Sequence, residues 1–166
     1  MRLFVLASLA VGCACAQNVT VEFDPAADFS HYKTFSLREG TLNSKNPALN
    51  NELVKKRIDA DIERYLSARG LTPASGQADL NVRYTLGSAK HTQTERYPAG
   101  WRGLGTRTVH TAVTEGTLVI DLRDTATRSL VWRGIAREDK HNAGEVQAKL
   151  DDMVKKSFEK YPPKAK

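Results

Sequence analysis

Val19, Val21 and Phe23 alternate with Thr20, Glu22 and Asp24, which is the period of a half-buried strand, and Asp24-Pro25 ends it. Tyr32 to Leu37 (YKTFSL) is β-rich and predicts a second strand, followed by a polar loop from Arg38 to Lys45. Asn46-Pro47 is a helix-start signal, because Asn can cap and Pro lacks the N–H that would be orphaned at the first helical position. Leu49, Leu53, Val54, Ile58, Ile62 and Leu66 then recur at helical spacing, and Gly70 closes the helix ahead of Leu71 and Pro73. Leu80, Val82, Tyr84 and Leu86 form the inward face of a third strand. Thr111–Asp121 and Leu130–Arg137 predict two more strands, joined by a tight turn at Asp124-Thr125-Ala126-Thr127. Asn142 with Glu145 resembles a capping box, and Val146, Leu150, Met153, Val154, Phe158 and Tyr161 give the stripe of a second helix that Pro162-Pro163 stops. Gly87 to Val109, with Gly87, Pro98, Gly100, Gly103 and Gly105, is the least regular stretch and reads as a mobile loop.

The expected order is β-β-α-β-β-β-α. Hairpin-like connections favour an α+β fold, with an antiparallel sheet of about five strands and two helices on one face. Strand parity then sorts the side chains. Even-numbered residues point to the helices, which buries Trp132 beside Leu130. The odd-numbered, open face carries Arg83, Val119, Val131, Arg133, Ile135 and Arg137. It reads either as a solvated sheet face or as a partner surface with an apolar centre and a charged rim.

The first sixteen residues do not fit this scheme. Arg2 precedes the apolar run LFVLASLAVG (Leu3 to Gly12), and Ala14-Cys15-Ala16 satisfies the small-x-small rule for signal-peptide cleavage before Gln17. That division predicts a signal peptide over 1–16, a single domain over 17–166, and a periplasmic or secreted protein. Ala10-Val11-Gly12-Cys13 supplies an alternative, a degenerate lipobox whose Cys13 would be lipidated and anchor the chain to a membrane. Cleavage before Gln17 leaves no cysteine, and with it no disulfide, thiol chemistry or Cys-ligated zinc.

Of 166 residues, 25 are Lys or Arg and 19 are Asp or Glu, a formal charge of +6. The excess is spread along the chain and lacks the concentrated basic stripe of a nucleic-acid binder. Tyr97, Trp101, Arg102 and Arg107 come nearest to a binding cluster. Two rings offer stacking area, arginines offer planar donors, and Gly100, Gly103 and Gly105 let the backbone adapt. An anionic glycan or a lipid headgroup of the envelope is the partner that such a loop suits, and no nucleic acid is expected.

Two motifs carry a family resemblance. Asp28-Phe29-Ser30-His31-Tyr32-Lys33-Thr34-Phe35 and LVIDLRDTATRSLVWRGIARED (Leu118 to Asp139), with its Val131-Trp132-Arg133-Gly134 step, resemble the bacterial exported family called domain of unknown function 4136. The resemblance spans about residues 19–161 and implies an envelope location, often through a lipoprotein signal, and an α+β fold. It implies no established chemistry and transfers no catalytic residue.

Catalytic motifs are missing from the sequence: no HExxH, GxSxG, Walker A or dinucleotide glycine pattern occurs. His91 and His110 flank the irregular stretch, but parity assigns His91 to the open side and His110 to the covered side, so no metal site or cofactor is expected. The resulting expectation is a non-enzymatic binding or structural module of the envelope. The alternative is an enzyme acting on an envelope substrate, which would need a pocket joining His91, Glu95 or His110.

Overall fold

The computed structural model describes residues 18–99 and 105–163; the expected leader with Cys13, and Trp101 and Arg102, lie outside the described residues. The strands are β1 (Asn18–Phe23), β2 (Thr34–Leu37), β3 (Thr41–Asn43), β4 (Thr72–Pro73), β5 (Leu80–Ala99), β6 (Gly105–Asp124) and β7 (Leu130–Lys140), and the helices are α1 (Glu52–Ser67), α2 (Ala143–Ala148) and α3 (Leu150–Phe158). The strands form one mixed sheet in the order β1-β7-β6-β5-β2-β4, with β3 also paired to β5.

The α+β class holds, but the five-stranded antiparallel sheet does not. β1, β7, β6 and β5 pair antiparallel, whereas β2 and β3 run parallel to β5. Parallel neighbours need a long crossover, and α1 is that crossover, carrying the chain from β3 back to β5 over one face of the sheet. β3 lies in the stretch expected as loop, where Leu42 sits opposite Leu86.

α1 begins later than Asn46-Pro47 suggests. Asn46 Oδ1 accepts from Ala48 N in a local turn, and Asn51 is the cap, its Oδ1 accepting from Leu53 N at 3.1 Å and Val54 N at 3.0 Å. Leu53 therefore points to solvent, while Val54, Ile58, Ile62 and Leu66 are buried. Gly70 takes the left-handed conformation (φ 88°) expected of a glycine closing a helix. The second predicted helix divides at Lys149 into α2 and α3, and Asn142 caps α2 reciprocally with Glu145.

Leu80, Val82, Tyr84, Leu86, Leu118, Ile120, Leu122, Trp132 and Ala136 are buried in one cluster with the stripes of all three helices, so even-numbered sheet residues face the helices as parity requires. A bulge limits that rule. Trp132 opposes Leu122, but Leu130 opposes Arg123, which makes Val131 the extra residue. Leu130 thus does not share Trp132's face, and Val131, expected on the open face, is buried.

The largest departure is Gly87–Val109. β5 and β6 pair without interruption from Leu80↔Asp124 to Ala99↔Gly105. Thr92, Thr94, Thr106, Thr108, Val109 and Thr111 supply β-branched side chains to this ribbon, and they outweigh the glycines of the stretch. β7 stops at Lys140, opposite Thr114, so beyond that pair β5 and β6 continue alone as a two-stranded arm.

At the opposite end, Asp79 ties β2 to β5. Its Oδ2 accepts from Lys33 N, Thr34 N and Thr34 Oγ1, each at 2.9 Å, and these bonds hold its carboxyl below the usual carboxylate range. A lowered folded pKa adds stability above the unfolded value of about 3.9 and loses it as pH falls through the folded value. Urea midpoints of wild type and Asp79→Asn should therefore differ at pH 7 and converge in acid. A gap that stays constant with pH would refute this role for the carboxylate.

Candidate functional site

The odd-numbered side chains of β5, β6 and β7 and the even-numbered ones of β1 form the open face, and the register arranges them in rows. Arg83 lies across from Asp121, Asp121 across from Arg133, and Arg133 across from Glu22. Within this row Arg133 holds Asp121 through two bonds, Nε to Oδ1 at 2.7 Å and Nη2 to Oδ2 at 2.8 Å. That contact pushes the Arg133 pKa further up. The next row is Thr85, Val119, Ile135 and Thr20, in which the half-buried Val119 and Ile135 make the apolar centre of the face. Arg137 follows opposite Thr117, and its Nε lies 3.9 Å from Glu115 Oε1.

Arg83, Val119, Arg133, Ile135 and Arg137 therefore do share one face. With Val131 withdrawn into the core, the apolar centre narrows to Val119 and Ile135.

The two ends of this face differ in charge. At the end near the Asp124–Thr127 turn, Arg38, Asn81, Arg83, Arg123, Asp124, Thr125 and Arg128 line an open groove of about 410 Å³. Arg38 Nε donates to Asn81 Oδ1 at 2.6 Å, and Arg123 reaches the Arg128 carbonyl. The groove's one carboxylate is already engaged, since Asp124 accepts from Tyr32 Oη at 3.0 Å and from Thr127 N at 2.8 Å. Turn and hydroxyl donors keep its carboxyl below the usual range. Asp121, which faces Arg83, is held by Arg133. Four arginines thus gather around a single lining carboxylate, Asp124, whose neutral donors leave its charge in place. Arg128 stands in the left-handed region at φ 62°, a conformation unusual for a residue other than glycine.

At the other end, where the arm leaves the sheet, His91, Glu115 and Asp139 bring their ligating atoms within 4.8 Å of one another. The arm carries Tyr97 directly opposite Arg107, both exposed. The Tyr97 hydroxyl donates to Glu95 Oε2, which raises its pKa. His110 lies on the other side of the ribbon, with Nδ1 3.0 Å from Thr94 Oγ1. A second groove, of about 540 Å³, sits on the helix side of the arm's root and is lined in part by Lys45, Ser88, Lys90 and Thr114.

Arg38, Arg123, Arg128, Glu115 and Asp139 escaped the sequence reading. Odd numbering on β6 and β7 was available for Glu115 and Asp139, but their adjacency depends on the register through the bulge. Arg38 reaches the groove only through the parallel pairing of β2 with β5.

The family described as domain of unknown function (DUF4136) matches residues 19–163. Comparison with curated proteins gives no match. Among solved structures, the chain is similar to a PDZ domain protein from Parabacteroides distasonis (TM-score 0.60, 15% identity), covering 88% of this chain and 35% of that one. It is similar to a DUF4136 family protein from Bacteroides thetaiotaomicron (TM-score 0.55, 18% identity, 88% and 96% covered). A homolog of a neuraminyllactose-binding hemagglutinin from Helicobacter pylori is also similar (TM-score 0.53, 11% identity, 81% and 88% covered). The chain thus spans about a third of the first of these, and at such identities the likeness is one of fold.

Proposed function

The chain belongs to the family of domain of unknown function DUF4136, and from the charge of its open face we propose that it is an exported cell-envelope module that binds an anionic polysaccharide. The observation that carries this reading is the groove of Arg38, Arg83, Arg123 and Arg128, where four guanidiniums outnumber the one lining carboxylate, Asp124, and the nearby Asp121 is held by Arg133. Like charges held together repel, and a planar carboxylate, sulfate or phosphate that accepts from several guanidiniums relieves the repulsion while gaining charge-assisted bonds.

A polymer suits the face better than a lipid headgroup. Tyr97 and Arg107, near the tip of the arm, lie fourteen residues along β5 from Arg83, about 45 Å at strand rise. One chain of sugars can touch both places. The groove, moreover, has no exposed large apolar side chain to enter a bilayer, and no helix among the described residues is long and apolar enough to cross a membrane. Export is part of this proposal and is supported by the Arg2, Leu3–Gly12 and Ala14–Ala16 pattern, with anchoring through Cys13 as its alternative form. The enzyme alternative required a pocket joining His91, Glu95 or His110; the ribbon sets His91 and His110 on opposite sides, and no observation favours that alternative.

The test uses heparin as a polyanionic glycan probe and phosphatidylglycerol vesicles as the lipid comparison. Arg83→Ala/Arg128→Ala should elute from heparin at clearly lower salt than wild type. Lys45→Ala/Lys90→Ala removes the same formal charge from the helix side and should change elution little. Equal losses in both variants would reduce the interaction to net charge and overturn the site, and retention on vesicles but not on heparin would overturn the ligand class.

A further inference from the structure

We propose that His91, Glu115 and Asp139 form a site for a divalent transition cation of the zinc type, which staples the root of the β5–β6 arm to β7. The three residues come from three adjacent strands. Glu115 is directly opposite Asp139, and His91 lies two positions beyond Ala89, the residue that faces Glu115. All three are odd-numbered and share the open face. His91 Nε2 is 4.0 Å from Asp139 Oδ2, and the three ligating atoms fall within 4.8 Å of one another.

Donors around an ion with bonds of about 2.0–2.2 Å sit about 3–3.5 Å apart, so closure needs movements of about 1 Å. Solvent-accessible side chains can make them by small torsional adjustments, and His91 and Asp139 are both exposed.

The donor set selects the cation. One imidazole nitrogen with two carboxylate oxygens suits zinc and its neighbours in the first transition row, whereas magnesium and calcium prefer oxygen alone. Two carboxylates balance a divalent charge. Thr117 Oγ1 donates to Glu115 Oε1 at 2.8 Å, which orients this carboxylate. Arg137, 3.9 Å from the same Oε1, opposes cation binding and keeps the site weaker than a closed structural zinc centre. The expectation of no metal considered His91 only with His110; the register gives His91 two carboxylates instead.

The position gives the site a consequence. The last β6–β7 pair is Thr114↔Lys140, and beyond it the arm is a two-stranded ribbon, an arrangement with little stability of its own. An ion bonded to β5, β6 and β7 fixes the arm where its third strand ends. It also neutralises the two carboxylates that separate the arginine groove from the arm.

The experiment is zinc titration of the tag-free, metal-stripped mature protein by calorimetry, with magnesium as comparison, followed by hydrogen exchange of residues 92–99 and 105–112. Zinc should bind one to one and magnesium should not. His91→Ala and Asp139→Asn should each weaken zinc by about tenfold or more, while His110→Ala leaves it unchanged. Zinc should slow exchange in the arm of wild type and not in that of His91→Ala. All three substitutions are at exposed positions, and matching thermal midpoints without metal will verify folding. Absence of saturable zinc binding, binding insensitive to His91→Ala and Asp139→Asn, or equal loss in His110→Ala would each overturn the site. Heparin retention of the metal-free protein tests the glycan reading separately.

Discussion

Trp132→Ala is expected to destabilise the protein by about 3–5 kcal/mol, the range for truncating a large aromatic in a packed core. Trp132 is fully buried, stacked on Phe158 with centroids 5.4 Å apart and planes at 10°, and edge-on to Tyr161 at 5.9 Å. It therefore joins β7 to α3 and to the segment after it, and its removal strips contacts from both layers at once. Gly134 adds to the constraint, because a Cβ there would stand 2.6 Å from Trp132 Cη2. The void left by alanine is walled by rings and backbone that cannot collapse easily. Trp132→Phe should cost much less, since it keeps the stacked ring and Trp132 Nε1 has no hydrogen-bond partner among the described residues. Chemical denaturation of the two variants checks both statements, and a loss under about 1 kcal/mol for Trp132→Ala would mean that the ring is not part of the cooperative core.

The sequence marks the buried face of β6 by the alternation of Leu118, Ile120 and Leu122, and the size and apolarity of Trp132 point it to the same side. Parity failed at Leu130 and Val131, where the chain inserts one residue. A bulge leaves no apolar signature, since Leu-Val-Trp reads equally well in either register. The parallel strands were hidden for another reason. β3 and β4 are three and two residues long, too short for a period to show, and they are strands only because α1 returns the chain beside them. α1 itself was misplaced by five residues at its start because both Asn46 and Asn51 are competent caps, and the turn closed by Asn46 precedes the helix.

The site was legible in one dimension only. Arg83, Val119, Arg133, Ile135 and Arg137 were assigned to one face by counting along strands, and they lie there. Neither end of the face follows from counting, because the arginine groove needs β2 beside β5, and the His91 cluster needs the pairing of β6 with β7. The arm is hidden in the sequence because Gly100, Gly103 and Gly105 give the whole stretch the look of a loop. The threonine alternation before and after them was the better guide, and it describes a ribbon that holds Tyr97 and Arg107 as cross-strand partners.

Gly40→Ala should destabilise the protein by about 1–3 kcal/mol through overpacking. Gly40 lies between β2 and β3, and a Cβ built on it would fall 2.0 Å from Tyr84 Cζ and 2.4 and 2.5 Å from the two Cε atoms. Such overlap requires movement, and the ring has little room to give. Tyr84 is 2% exposed, and its hydroxyl donates to the Lys55 carbonyl of α1 at 3.2 Å. Burial beside Asp59 holds its phenol far above the ordinary range, so it stays a neutral donor at any working pH. Shifting the ring would break that bond, and shifting Gly40 would pull on Arg38, whose N–H donates to the Val82 carbonyl at 2.8 Å and keeps the β2–β3 connection against β5. The cause can be isolated by repeating the substitution in a Tyr84→Leu background, where the clashing ring atoms are gone. There the added methyl should cost less than in wild type by more than about 0.5 kcal/mol, the spread within which uncoupled changes add. Equal costs in the two backgrounds would show that the backbone at Gly40, and not the Tyr84 ring, requires glycine.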